Sequence, residues 1–498
     1  MADQTGLNAV MLAAEVSPFA KVGGLADVLG ALPKALERIG VRVTVILPGY
    51  KSINHDQYGI RPCEMVAGFD VPMGPGSAYA EVFQTRLPRS AVDVFLIGSD
   101  RYFHRDGIYD DPVTHEGYLD NMERFVFFMK AGLELLPKLG LRPDIIHCHD
   151  SQTGLIPGLL RTGYLEDPFY AGTGTLFTIH NLAYQGIYPK DTLYWAGIDY
   201  RHFYPTSPFE FWGKVNFMKV AIEHADQVNT VSENYAKEIQ SSPEYGYGLE
   251  GILRLRTDSL SGIVNGIDYE EWNPEMDPLI AAHFSQFDLS GKTVCKSEIL
   301  RSFGLPPMEG RVPLIGIVSR LADQKGFDLI ETAVDEIGQL SLKLVILGKG
   351  QRRYHRLLQH IAAQYPERVG VKLEFDNRLA HLIQAGSDML LMPSRYEPCG
   401  LNQLHSLRCG TVPIVRATGG LVDTVIDYTG DGNAGTGFSF NDYTAENMAH
   451  AIRRALAAFS DESRWMGIVR RGMSQDWSWQ QSARKYLHLY QKIQALRP

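Results

Sequence analysis

Short, nearly continuous apolar runs alternate with longer stretches of helical periodicity through most of this chain, and that alternation leaves few folds open. Strand-like runs are read at residues 8–16, 41–47, 92–97, 144–148, 175–179 and 227–231, and again at 312–319, 342–347, 388–392 and 412–415. Apolar runs of this length, bounded by turn residues, suit strands buried on both faces, and the helical stretches between them supply the crossovers of parallel sheets. The expected fold class is therefore α/β with doubly wound sheets. At 498 residues the chain is long enough for more than one such sheet. Strand density falls across residues 233–313, where Pro, Gly and charged residues gather, and then resumes. A boundary near residues 264–272 follows, giving two nucleotide-binding-type domains expected to face each other across a cleft: 1–265, and 266–478. Residues 479–498 form a separate tail, in which Tyr486, Leu489, Tyr490 and Ile493 mark one apolar stripe of an amphipathic helix that must dock elsewhere.

Charge and cysteine usage narrow the function classes. Lys and Arg total 48 against 57 Asp and Glu, a net charge of -9 without a basic run, so nucleic acid and anionic membranes are poor candidate partners. No apolar run approaches the roughly 18 residues of a membrane span. The five cysteines (Cys63, Cys148, Cys295, Cys399, Cys409) form no C-x-x-C pair and read as thiols of a reducing compartment. The first residues carry neither a basic region nor an apolar core of a signal peptide. The expectation is a soluble cytoplasmic protein.

Three places repeat one device, a strand followed by a Gly-containing loop and then a helix: residues 14–27, 318–326 and 415–421. Backbone N–H groups and the positive end of a helix dipole meet there, which suits phosphate. None matches G-x-x-x-x-G-K-S/T, which excludes a P-loop nucleotidase, and Gly348-Lys349-Gly350 lacks the third glycine of a dinucleotide fingerprint. One such loop alone reads equally well as a tight turn. Three of them, with Lys21, Arg320 and Lys325 alongside, point to a multiply charged phosphate ligand. After the run at 388–392, Pro398 and Gly400 expose backbone where ligands of open α/β sheets bind, and Glu397 is either an acceptor for sugar hydroxyls or a solvated loop residue. His147 and His149 share one strand face, so a metal site is weighed. No third ligand at a defined spacing accompanies them, and the reading preferred is a polar cleft rim with some histidines packed. Cys399 lacks an activating histidine nearby in sequence and reads as a structural thiol.

Taken in order, the segments AEVSPFAKVGGLADV (14–28), HCHDSQTGL (147–155), FTIHNLAYQG (177–186), VNGIDYEEWNP (264–274), SRLADQKGFDL (319–329), PSRYEPCGLNQL (393–404) and VPIVRATGGLVDTV (412–425) resemble the bacterial glycogen synthase and plant starch synthase family of retaining glucosyltransferases. The resemblance runs from about residue 8 to 480. It implies the GT-B fold, two Rossmann-like doubly wound domains facing each other across a deep cleft with the C-terminal helix crossing back to the first domain, and transfer of glucose from ADP-glucose to the non-reducing end of an α-1,4-glucan such as glycogen. It implies no catalytic metal and no cofactor. Carried over by position, Arg320 and Lys325 would grip the diphosphate, and Thr418, Gly419 and Gly420 would offer N–H groups to its distal phosphate. Lys21, Gly23 and Gly24 would close from the other domain. Glu397 would bind glucose hydroxyls, with the backbone at Cys399 and Gly400 cupping the sugar. His180 and Asn265 would hold its far side, the His180 backbone near the anomeric carbon. Asp150 would lie on the acceptor side and Phe375 would stack on the base.

The sequence departs from the family at Val22, where Thr is frequent, at Ser151, where Trp is usual, and at His405 and Cys409, where Tyr is common. Alternatives within this frame are a UDP-glucose-using transferase or an epimerase of the same fold, and a catalytically silent glucan-binding scaffold. A glucan phosphorylase would need a pyridoxal-phosphate lysine motif that is not found here.

Overall fold

The computed structural model describes residues 6–307, 310–430 and 434–497. Its chain separates into two compact units, Met1–Gly266 together with Trp479–Pro498, and Ile267–Ser478.

The first unit is built on a ten-stranded sheet. From one edge the parallel strands run Leu260–Gly262, Gln227–Thr230, Gly174–Ile179, Ile145–His149, Asn8–Leu12, Arg42–Pro48 and Asp93–Gly98. The strand Gly76–Arg86 then joins antiparallel, carrying Gly68–Met73 and Arg61–Pro62. The central strands are buried along almost their whole length, which is why they read as continuous apolar runs. The Gly68–Met73 and Gly76–Arg86 pair was not expected from sequence. Gly76–Arg86 alternates exposed and buried residues from Ser77 to Val82, so its apolar signal is halved along the chain.

The Trp479–Ala495 helix belongs to this first unit. Its stripe of Trp479, Tyr486, Leu489, Tyr490 and Ile493 is buried in the same core as Met11, Ile46 and Phe177. Polar ties fix its register: Ser482 Oγ donates to the Val264 carbonyl at 2.7 Å and Lys485 pairs with Glu233 at 2.8 Å. Gly174 sits beneath it, since a Cβ there would stand 2.1 Å from the Ile493 side chain.

The second unit is a six-stranded parallel sheet in the order Val369–Lys372, Lys343–Leu347, Leu314–Val318, Met389–Met392, Val412–Arg416 and Phe438–Phe440. Its own core gathers Ile315, Val345, Leu382, Ile414, Ile452 and Ile468 among others. Every strand expected from the sequence is present within a few residues, though the run at 8–16 ends as a strand at Leu12 and turns into a loop. The short strands Leu260–Gly262, Val369–Lys372 and Phe438–Phe440 were not foreseen.

Candidate active site

In the first unit, two neighbouring parallel strands end together. Pairing of Cys148 with Phe177 and His149 with Thr178 brings the next residues, Asp150 and His180, to one place. Asp150 adopts φ 58° and ψ -178°, a region nearly reserved for glycine that costs on the order of 1–3 kcal/mol. Its side chain holds the turn: Oδ1 accepts the His180 N–H at 2.8 Å and the Asn181 N–H at 3.4 Å. Burial pushes the Asp150 carboxyl up to about 7, although those two N–H groups pull it the other way.

His149 Nδ1 lies 3.0 Å from His180 Nε2, and burial drives the His180 imidazole down to about 3 and His149 well below the usual histidine range. His147 and His149 do share a face, with ring centroids 4.0 Å apart, but neither lines a rim. Both are fully buried, and His147 is held between the Tyr490 hydroxyl at 2.8 Å and Thr178 Oγ1 at 2.6 Å. Among the described residues no group of three or more His, Cys, Asp or Glu side chains could hold a metal ion. Asn265, 5% exposed, has an Oδ1 with no hydrogen-bond partner among the described residues.

The glycine loop of this unit is organised by Glu15, which the sequence reading did not single out. Its buried carboxylate accepts the Val22 N–H at 2.5 Å and the Gly23 N–H at 2.8 Å on one oxygen, and the Tyr109 hydroxyl at 2.7 Å on the other. The Gly23 N–H is therefore engaged within the loop, by Glu15. Gly24 opens the helix Gly24–Arg38 just beyond it. Lys21 is about half exposed and pairs with Asp27 at 2.5 Å. A glutamate at the end of an apolar strand before a Gly-Gly loop was a readable signal. Tyr109, 94 residues away, had none.

In the second unit the loops after Val318, Met392 and Arg416 converge at the carboxyl ends of three adjacent strands. Lys325 Nζ donates to Glu397 Oε2 at 2.6 Å, and Ser394 Oγ donates to the same oxygen at 3.0 Å. Glu397 and Lys325 side chains are 9% and 18% exposed, so the pair is largely desolvated while Glu397 Oε1 is left for another donor. Gln324 and Arg395 bind the two loops together through backbone groups: the Arg395 N–H donates to the Gln324 carbonyl at 2.8 Å, and Gln324 Nε2 to the Tyr396 carbonyl at 3.1 Å. Arg320 is exposed, and its guanidinium has no hydrogen-bond or ion-pair partner among the described residues.

Two glycines let these loops touch. Gly326 has φ 75° and a Cβ there would lie 2.0 Å from the Pro393 carbonyl oxygen; Gly419, at φ 48°, would meet the Glu397 carbonyl oxygen at 2.0 Å. Backbone N–H groups of the third loop have partners within the protein. The Gly420 N–H donates to the Glu397 and Pro398 carbonyls, each at 3.1 Å, and the Thr418 N–H donates to the Arg416 carbonyl at 2.9 Å. These donors hold the loop itself rather than facing a ligand. Gly348 and Gly350 likewise serve loop contact, since added Cβ atoms would lie 2.1 Å from the Ser319 and 2.3 Å from the Leu321 carbonyl oxygens. Cys399 is buried, Gly400 turns the chain at φ 71°, and Phe375 stands 81% exposed just before the helix Asn377–Gly386. Of the unusual positions, Ser151 is buried against Gly186, while His405 stacks on Trp272 at 3.7 Å with His381 on the other face at 3.8 Å.

Comparison with known proteins adds the following. A starch synthase catalytic domain family profile matches residues 8–255, and one for glycosyl transferases group 1 matches residues 306–466. A glycogen synthase of Koribacter versatilis is 45% identical over 491 residues, covering 99% of both chains. One from Geotalea daltonii is 46% identical, covering 98% of this chain and 99% of its own. Among solved structures, the catalytic domain of starch synthase IV from Arabidopsis thaliana, bound to ADP and acarbose, superposes with a TM-score of 0.91 at 34% identity over 98% of this chain and 99% of its own. Sucrose-phosphate synthase from Thermosynechococcus elongatus shares the fold, at a TM-score of 0.57 and 18% identity over 98% of this chain and 100% of its own.

Proposed function

The chain belongs to the glycogen synthase and starch synthase family of glucosyltransferases, and we propose that it transfers glucose from ADP-glucose to the non-reducing end of an α-1,4-glucan in glycogen biosynthesis, with retention of configuration. The observation that carries the assignment of roles is in the second unit, where Arg320, without a hydrogen-bond or ion-pair partner among the described residues, and the desolvated Lys325–Glu397 pair stand on loops at the carboxyl ends of adjacent strands. Breaking the bond between the anomeric carbon and the phosphate oxygen leaves charge on ADP. Cations fixed in advance where that charge develops lower the barrier most. Arg320 and Lys325 take that role. Glu397, held by Lys325 and Ser394 on one oxygen, offers Oε1 to glucose hydroxyls, and Gly400 and Gly419 allow backbone to approach the sugar and phosphate closely.

In the first unit, His180 and the unpaired Oδ1 of Asn265 bind the sugar, and Asp150 fixes the His180 backbone on the acceptor side. Retention follows when the departing phosphate oxygen itself accepts the proton of the attacking glucan hydroxyl, so no second carboxylate is required as nucleophile. Lys21 adds positive charge, and the exposed Phe375 ring suits stacking on the base. Five buried thiols fit a cytoplasmic setting, and no helix among the described residues is long and apolar enough to cross a membrane.

The test is release of nucleotide from glucose-labelled ADP-glucose with and without glycogen. Glycogen-dependent ADP release with label entering polymer is expected. A preference for UDP-glucose would correct the donor, and no transfer from either would overturn the reading.

A further inference from the structure

Four side chains connect the C-terminal helix to His180 inside the first unit, and their proton positions can be worked out in sequence. Asn229 Nδ2 donates to the Tyr486 hydroxyl at 3.2 Å, which turns Asn229 Oδ1 toward Thr178. The Thr178 hydroxyl gives its one hydrogen to that oxygen at 2.5 Å. Thr178 Oγ1 is then only an acceptor toward His147, so His147 carries its proton on Nε2 and takes the Tyr490 hydroxyl proton on Nδ1. His149 lies against this ring, centroids 4.0 Å apart and planes tilted by 34°, and reaches His180, Nδ1 to Nε2 at 3.0 Å. Only one proton can lie between those two nitrogens.

The remaining nitrogen of His149 decides which ring supplies it. His149 Nε2 is buried and has no hydrogen-bond partner among the described residues. Were His180 the donor, a neutral His149 would carry its own proton on Nε2 and bury an N–H against nothing. Orphaned buried N–H groups are the rarer and costlier case. With His149 donating from Nδ1, its Nε2 is a bare lone pair. A doubly protonated His149 would bury the same orphaned Nε2–H and a charge besides, and burial holds all three imidazoles neutral.

We propose that His149 is a positioning residue: by donating from Nδ1 to His180 Nε2, it fixes His180 as the tautomer whose proton sits on Nδ1, so that a hydrogen-bond donor is presented to the hydroxyl-rich ligand. This deepens the glucosyltransferase reading given above and rests on it for the identity of that ligand. The tautomer itself does not rest on it. A second ring-orienting group behind a working imidazole is how other histidines are held in one tautomer.

The experiment combines nitrogen NMR on histidine-labelled full-length protein with kinetics of two variants. In the wild type, His180 Nε2 is expected to resonate as an unprotonated, pyridine-type nitrogen and His149 Nδ1 as a protonated one. His149→Leu removes the donor. It should let His180 shift toward its Nε2–H form and lower kcat at least tenfold, while KM for glucan stays within about twofold. His149→Asn restores an N–H near the Nδ1 position and should return kcat to within about threefold of wild type. If the Leu variant fails to fold, the wild-type spectrum and the Asn variant still decide. A protonated His180 Nε2 in the wild type overturns the proposal, and so does equal activity loss in both variants that tracks their melting temperatures. Wild-type protein inactive with ADP-glucose and UDP-glucose, yet showing the expected tautomers, would sink the functional reading and leave the tautomer assignment standing.

Discussion

Arg320 and Lys325 both carry positive charge toward the same expected ligand, yet their surroundings predict different consequences of removing them. Arg320 has no partner among the described residues, so Arg320→Ala should cost activity alone: a loss of about 100-fold or more in kcat, the size seen when one fixed transition-state donor is removed, with an unchanged melting temperature. Lys325 neutralises Glu397 at 2.6 Å in a largely dry setting. Lys325→Ala leaves that carboxylate uncompensated and should cost about 3–5 kcal/mol of stability besides the activity. Paired thermal melts and turnover assays separate the two. Asp150 makes a third residue-scale case. Its carboxyl titrates near 7 in the folded chain, above its ordinary value, so the folded protein keeps a proton that the unfolded chain has already lost between about pH 4 and 7. Stability from this group is greatest in acid, falls as pH rises through that window and levels off above it, by about 4 kcal/mol in all. Asp150→Asn keeps an acceptor for the His180 N–H and removes the titration. Its unfolding midpoint should lose that slope and exceed the wild type's at pH 8. The carboxylate and cations were readable in sequence as residues of the right type near strand ends. Glu15 was given no role and His149 was read only as a weighed metal ligand or rim group, because their partners are set by pairing across strands and loops rather than by spacing along the chain.

At the scale of elements, the site depends on loops packed more closely than side chains would allow. Gly326 stands at φ 75° with the Pro393 carbonyl 2.0 Å from where a Cβ would go. Gly326→Ala should therefore cost at least about 2 kcal/mol through strain and overlap together, and should move the Lys325 loop with it, so kcat falls as well. Denaturant unfolding and turnover measured on one preparation would test this. The strand–glycine loop–helix pattern was visible in the sequence, but the partners that its N–H groups find within the protein were not. Glu15 takes the Gly23 N–H, and neighbouring carbonyls take those of Thr418 and Gly420. Glycines near a ligand site can serve loop-to-loop contact as readily as ligand contact, and sequence spacing is the same in both cases. The unforeseen Gly68–Met73 and Gly76–Arg86 pair has the same kind of cause: a strand with one wetter face yields a weaker apolar run.

For the whole molecule, two compact units with separate cores should unfold in two calorimetric transitions. ADP should raise the transition of the Ile267–Ser478 unit, by about 2.7 kcal/mol at a hundredfold excess over its dissociation constant. Shortening the chain before Trp479 should instead lower the transition of the unit that begins the sequence, since the buried faces of Tyr486, Tyr490 and Ile493 complete its core and Tyr490 caps His147. If the truncated chain lost stability only in the Ile267–Ser478 unit, that assignment of the helix would be wrong.

The sequence by itself determined the α/β class, the positions of the core strands and the family, because buried parallel strands need unbroken apolar runs and because the family's motifs are long and ordered. It also placed acids, cations and glycines at strand ends. Only the tertiary structure decided which hydrogen-bond donors remain for a ligand, which carboxyl is driven to titrate near 7 and which histidines are locked together. Those properties arise from burial and from partners tens to hundreds of residues apart, and chain order carries no record of either.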